Sequence, residues 1–520
     1  MIVGVALFAS HAFRSPPVID QELVFAIAES QGHLSPEATR KLREQVARTQ
    51  TDLDALRQQY PDWASEIDRA INAFNESDIE GARSAFEEID HLITERRADL
   101  RLEQARSKHA QATLLYPSRL SQSGPLLCDA AQLAESNVWY WVDCGRAQEA
   151  LGSLNAAMAA FQSASDSAGQ TGALHDNAVV LVEIGDVRLE QGQLDAALDA
   201  FTESLDIRRD LVAQSPSNAN WAFGLSASLD RVGTVQREQG QLDAAFDAFA
   251  EALDISRDFA ARDPGNVDWA LGLSVNLDKV ASIKGAQGQF DAALEAHTES
   301  LEIRRNLAAQ EPGNGNLARG VSISLVGVGD AWGAQGQLNA ALDAYTESLD
   351  IRRDLLARDP SNLTWTSGLV DNLIRVGAVR RAQGQLDAAL DTYTEALDIS
   401  RDLAARDPSN FGWTFDLPFN LDRVGTVQRE QGQLDAALDA FNESLDIRRE
   451  LAAQDPGNAV WARNISVSLW QIAETDPTNT AKNWAAVVTS LESLDAKGLL
   501  LPVDMQLLDE ARQNLAVVKN

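Results

Sequence analysis

The octapeptide QGQLDAAL at residues 191–198 returns, unchanged or with one substitution, at 239, 287, 335, 383 and 431, always 48 positions further on. A catalytic centre is needed once per molecule, whereas a packing surface has to be remade each time one structural unit is laid on another. A fixed period of this length predicts a repeat architecture in which each unit touches only its neighbours. It replaces the several independent domains that 520 residues would otherwise suggest.

Residues 216–263 show what one unit contains. Pro216-Ser217-Asn218 reads as a turn with Asn218 as helix N-cap, and the segment after it places apolar residues at helical spacing. Gly240 ends that helix, because glycine accepts the left-handed conformation that closes a helix. A second helix then runs until Asp263-Pro264 breaks it. Each unit is therefore a hairpin of two helices, and the fold class is all-α: an α-solenoid (superhelix) of antiparallel helical hairpins.

Laying the copies over one another shows how the two helices meet. Gly185, Gly233, Ala281, Gly329, Gly377 and Gly425 leave room on the first helix. On the second, Ala197, Ala245, Ala293, Ala341, Ala389 and Ala437 sit one turn before Phe201, Phe249, His297, Tyr345, Tyr393 and Phe441. Trp221, Trp269, Leu317, Trp365, Trp413 and Trp461 follow the turns between units, where an apolar side chain staples the incoming chain to the preceding hairpin.

This pattern resembles the tetratricopeptide repeat. The best single match lies upstream of the array, where Trp141, Gly145, Gly152, Ala157, Phe161 and Ala164 fall on the family's positions. The family's unit has 34 residues. Here two extra turns are expected in the first helix, which keep the same faces inward. The resemblance implies a binding scaffold with a concave groove lined by the first helices. Those lining positions fall on Asp230, Thr234 and Arg237; Asp278 and Ser282; Val326 and Asp330; Ile374 and Arg381; and Asp422, Thr426 and Arg429. They differ from copy to copy while the packing residues hardly change, as expected where a partner dictates the residue.

Four regions are expected: a short apolar segment at 1–16, an irregular helical region with a degenerate repeat at 17–136, the array at 137–475, and capping helices at 476–520. Within the second region, SRLSQSGP at 118–125 reads as a linker. Two helices, near 480–497 and 503–518, are expected to seal the C-terminal face. Pro418 interrupts a first helix and is expected to kink it.

The formal charge is −33, which repels phosphate backbones and excludes nucleic acid as a partner. Cys128 and Cys144 form neither a disulfide framework nor a metal knuckle, so they read as two buried thiols of a reducing, cytoplasmic compartment. The alternative localisation is a membrane tether through the apolar residues 1–16, which are too few to span a bilayer alone. The six histidines are scattered, and no metal site or cofactor is indicated. Acids such as Asp195, Asp199, Glu203 and Asp206 read as a solvated outer face.

GLSAS at 224 and GLSVN at 272 imitate a nucleophile elbow, but they lie inside helices and lack its second glycine, so no enzyme is expected. Arg209, Arg257, Arg305, Arg353, Arg401 and Arg449 recur at the period, each three residues after an acid. They read as a ladder of exposed ion pairs, with recognition of an acidic partner as the sharper alternative. The function expected is a non-enzymatic scaffold or adaptor holding a peptide or protein. The alternative is a regulatory or sensory part of a membrane-associated or multi-subunit complex whose catalysis lies on another chain.

Overall fold

The computed structural model describes residues 36–75, 79–96, 101–116, 119–406, 411–454, 459–500 and 502–519. The apolar segment 1–16 lies outside them. Among the described residues there are 22 α-helices and no strand, and no helix is long and apolar enough to cross a membrane. The chain divides into two compact units, residues 1–317 and 318–520.

In the first unit, α1 (Pro36–Gln59), α2 (Ala64–Asn75), α3 (Ile79–Arg96), α4 (Arg101–Leu115) and α5 (Leu120–Leu133) precede the hairpins. The hairpins are α6 (Val138–Ala150) with α7 (Leu154–Thr171), α8 (Leu174–Glu190) with α9 (Leu194–Gln214), α10 (Ala219–Glu238) with α11 (Leu242–Arg262), and α12 (Val267–Ala286) with α13 (Phe290–Gln310). Each helix packs on the next along the chain.

The second unit begins within α14 (Gly315–Ala334), followed by α15 (Leu338–Arg358), α16 (Leu363–Ala382) with α17 (Leu386–Arg406), and α18 (Phe411–Glu430) with α19 (Leu434–Gln454). It ends in α20 (Ala459–Thr475), α21 (Thr480–Ala496) and α22 (Pro502–Lys519).

The repeated octapeptide is the hairpin turn. Gly240 has φ 76°, its N–H donates to the Arg237 carbonyl at 2.9 Å, and the Gln241 N–H reaches the Gln236 carbonyl at 2.8 Å. This double closure satisfies carbonyls that the end of α10 would leave bare, and only glycine takes that φ without strain. The Gln before the glycine reaches back one unit: Gln239 Nε2 donates to Asp195 Oδ1 at 2.8 Å, Gln287 to Asp243 at 2.9 Å and Gln431 to Asp387 at 2.7 Å. The octapeptide thus carries both halves of an inter-unit bond, the Gln of one copy and the Asp of the copy before. At the other end, Asn218 accepts from the N–H groups of Asn220 and Trp221, and Asn266 and Asn362 cap α12 and α16 in the same way.

The core is the alternation of glycine and ring. Phe201, Phe249 and Phe441 are fully buried, and their ring atoms occupy the space that a Cβ would take at Gly185, Gly233 and Gly425. Trp269 stacks on Phe259 of the preceding second helix with ring centroids 4.5 Å apart, so the staple is present. At Gly377 an added Cβ would stand 2.6 Å from Tyr393 Cε1. Gly377→Val is therefore expected to lower the stability of that hairpin by about 1–3 kcal/mol through overpacking, measured by urea unfolding of the full chain.

Three expectations need correction. Residues 120–125 are not a linker but the start of α5, which runs on through Pro125. Gly124 lets α5 approach α6 closely, since a Cβ there would lie 3.1 Å from Leu151 Cδ1. Cys128 and Cys144 are not thiols: they form a disulfide between α5 and α6, with Cα atoms 4.7 Å apart. Such bonds persist in oxidising surroundings, which removes the reason for assigning the chain to a reducing compartment. Pro418 does not interrupt the helix, since α18 continues from Phe411 to Glu430 with the proline inside it; the proline is buried, and its carbonyl accepts from Ser444 Oγ at 3.2 Å. The ladder of exposed ion pairs on the periodic arginines is present, within a helix where Arg449 meets Asp446 at 3.3 Å and between units elsewhere. Arg209, Arg257, Arg353 and Arg401 bind Glu251, Glu299, Glu395 and Glu443 of the next second helix at 2.6–2.8 Å.

Candidate functional site

The variable positions of the first helices were built into each unit by the same turn, so they recur one above another. In the first unit, Lys279 of α12 reaches back to α10, with Nζ 3.1 Å from Asp230 Oδ1 and a bond to Thr234 Oγ1 at 3.4 Å. Arg231 makes the corresponding bridge to Asp186 of α8 at 3.1 Å. Arg237, in the last turn of α10, is half-buried. Ser282 is exposed. Asp278 turns into its own hairpin, 2.9 Å from both His297 Nδ1 and Arg304 Nη2.

In the second unit, Asp330 accepts from the Tyr345 hydroxyl at 2.5 Å and from Arg375 at 2.8 Å. Arg381 forms a forked pair with Glu430 of α18, its nearest contact 2.5 Å. The hydrogen bonds from Arg381 hold the Glu430 carboxyl below the usual range. Arg429 reaches Glu474 of α20 at 2.7 Å. Asp422 lies 2.7 Å from the buried Arg448, and burial nonetheless pushes its carboxyl up, because desolvation outweighs the guanidinium. Thr426 donates to the Asp422 backbone carbonyl at 2.7 Å.

The geometry therefore brings together Asp230 with Thr234, and places Asp330, Arg381 and Arg429 in bridges between successive first helices. It does not bring Asp278 or Asp422 onto that ladder. The partners Arg231, Lys279, Arg375, Glu430 and Glu474 were missed from sequence. Their signal is a group of complementary character 45 or 49 positions away, close to one period. Ser226 and Ser274, the residues of the elbow-like motifs, are buried inside α10 and α12. The Ser274 hydroxyl donates to the Leu271 carbonyl at 2.8 Å and accepts from Arg304 Nε at 3.0 Å.

No protein-family model matches the chain, and no curated protein matches it. Solved structures do. The apo form of RapI superposes with a TM-score of 0.50 over 75% of this chain and 98% of its own, at 14% identity. At that identity the likeness concerns the fold alone, and it agrees with the stacked glycine-and-ring hairpins. This is a tetratricopeptide-type repeat fold. A Rap protein complexed with competence and sporulation factor gives a TM-score of 0.41 at 13% identity, covering 76% of this chain and 99% of its own. A signal transduction ATPase with a tetratricopeptide repeat sensor, from Pyrococcus horikoshii, gives 0.45 at 11% identity, covering 73% and 55%. Within the tetratricopeptide-type frame, the first helices carry the variable residues and the second helices carry the ion-pair ladder.

Proposed function

We propose that this chain is a non-enzymatic scaffold that holds a peptide or protein partner along the face of its first helices. One observation carries the reading: copies that preserve the turn and the core almost unchanged differ at the position of Asp330, which is Thr234, Ser282 and Thr426 elsewhere, and at that of Arg381, which is Gly285 and Gly333 elsewhere. Cross-bridges such as Lys279 to Asp230 hold that face in a fixed shape, which lowers the ordering cost of binding. Phe223 and Val275, exposed on α10 and α12, supply apolar anchors of the kind that dominate binding energy. The alternative, a part of a membrane-associated complex, rested on residues 1–16, which lie outside the described residues.

The test is affinity capture with the full chain, comparing the wild type with Arg237→Glu/Ser282→Arg on the first helices and with Arg353→Ala on the second. A partner whose capture is lost in the first variant and kept in the second supports the proposal. Capture that ignores the first-helix changes and fails with Arg353→Ala overturns it.

A further inference from the structure

One arginine of the second helix recurs in four copies, and its counter-charge does not recur with it. At the position occupied by Arg208, Arg304, Arg352 and Arg448 in four second helices, two guanidinium groups are neutralised by an acid of their own hairpin, Arg304 by Asp278 at 2.9 Å and Arg448 by Asp422 at 2.7 Å. At the place of Asp278 and Asp422, Arg352 has Val326, as Arg208 has Val182. Among the described residues no carboxylate stands within ion-pair distance of Arg352, and its Nε is buried without a hydrogen-bond partner. The guanidinium instead fills the space that a side chain would take at Gly368, where an added Cβ would collide with Nη1.

A second cation faces the same hollow. Arg319 of α14 is half-buried, makes no ion pair among the described residues, and lines with Arg352 a cavity of about 260 Å³ together with Trp365, Ser367, Gly368 and Asp371. Asp371 is exposed, and neither arginine is within ion-pair distance of it. Burial lowers the pKa of Arg319, and burial together with the neighbouring arginines brings Arg352 down to about 10, against the pull of Asp371. Two cations against one acid leave the hollow net positive in a chain of charge −33. The equivalents of Arg319 are Leu271, Ser367 and Phe415, so the pair arises in this copy and not in those. Half-buried, unneutralised guanidinium groups are costly unless something negative meets them.

We infer that the cavity between α14, α15 and α16 binds an oxyanion, with Arg352 and Arg319 gripping its oxygens, the Ser367 hydroxyl beside them and the Trp365 ring as one wall. Planar guanidinium forks fit carboxylate and phosphate oxygens in pairs, so the chemistry is shared by a small free anion and by an acidic group on a partner. The inference does not depend on the scaffold reading, because a small anion held in this one hollow needs no partner along the other first helices.

The experiment titrates the full chain with inorganic phosphate, and separately with a short glutamate peptide, at constant ionic strength, following Trp fluorescence and heat. Two variants accompany the wild type. Arg352→Gln removes the main donor, and Val326→Asp rebuilds the internal carboxylate that Asp278 and Asp422 supply to the sister arginines. Saturable binding of phosphate that weakens roughly tenfold to a hundredfold in both folded variants supports the site with a free anion as ligand. The same behaviour with the glutamate peptide but not with phosphate supports the site with an acidic partner as the source. No saturable binding of either probe by the wild type, or binding that both variants retain, overturns the inference. If one variant fails to fold, the other decides.

Discussion

Asp143→Asn is expected to remove about 3–5 kcal/mol of stability from the first unit, the cost of leaving the partly buried Arg48 without its counter-charge and the buried His109 without its partner. Asp143 is 4% exposed and accepts two bonds from Arg48 Nη2, at 2.8 and 3.0 Å, and shares a third contact of 2.8 Å with the fully buried His109 Nε2. Arg48 lies on α1, His109 on α4 and Asp143 on α6, so one carboxylate ties the N-terminal helices to the first hairpin. Tyr140, one turn away, stacks on His109 and bonds to Asp52 of α1 at 2.5 Å. Burial alone would raise the Asp143 pKa; Arg48 first, then His109, outweigh it and hold the carboxyl at about 2. The folded-state pKa is thus below the unfolded value of about 3.9. The stabilisation is complete above that value and is lost as pH falls from about 4 towards 2. Wild-type protein should therefore lose amide protection in α1 and α4 over that acid window, whereas Asp143→Asn should show low protection already at neutral pH. Hydrogen exchange reads both, and unchanged neutral-pH protection in the variant would contradict the assignment.

None of that network was legible in the sequence, although Trp141 and Gly145 on either side of Asp143 were placed correctly. Its partners stand 34 and 95 positions away, and helical spacing reports only neighbours within a few turns. The same limit explains the periodic arginines: an acid three residues earlier was visible, but the preferred partner lies 42 residues on, on the next second helix, where an exposed guanidinium reaches across the stack. What the repeats made legible was whatever each copy states for itself: the turn glycine, the Asn cap and the glycine facing a ring. Ser-Gly-Pro at 123–125 misled because turn residues were weighed without the packing that Gly124 permits against α6. Arg352 shows the opposite case. Comparing copies shows Val326 where Asp278 and Asp422 stand, and that difference is readable without coordinates.

Phe249→Ala is expected to cost about 3–5 kcal/mol, and the sign of a second change tells whether the glycine-and-ring contact is the reason. Phe249 is fully buried among Ala245, Leu253, Leu277 and Val280, and its ring lies where a Cβ on Gly233 would stand, 2.8 Å from Cε1. Gly233 has no side chain to move into the void, so the hollow cannot collapse and the loss falls near the upper part of the range. In the wild type Gly233→Ala should destabilise, because the added methyl meets the ring. In the Phe249→Ala background the same methyl enters empty space, and alanine also improves the helix by about 1 kcal/mol over glycine. The substitution should there become stabilising. The chain already contains a version of this exchange: where Ala281 replaces the glycine, the ring is the smaller His297, which bonds to Asp278 at 2.9 Å. Urea unfolding of the four proteins in the cycle measures the coupling directly. Additive effects of one sign would mean that ring and glycine do not determine each other.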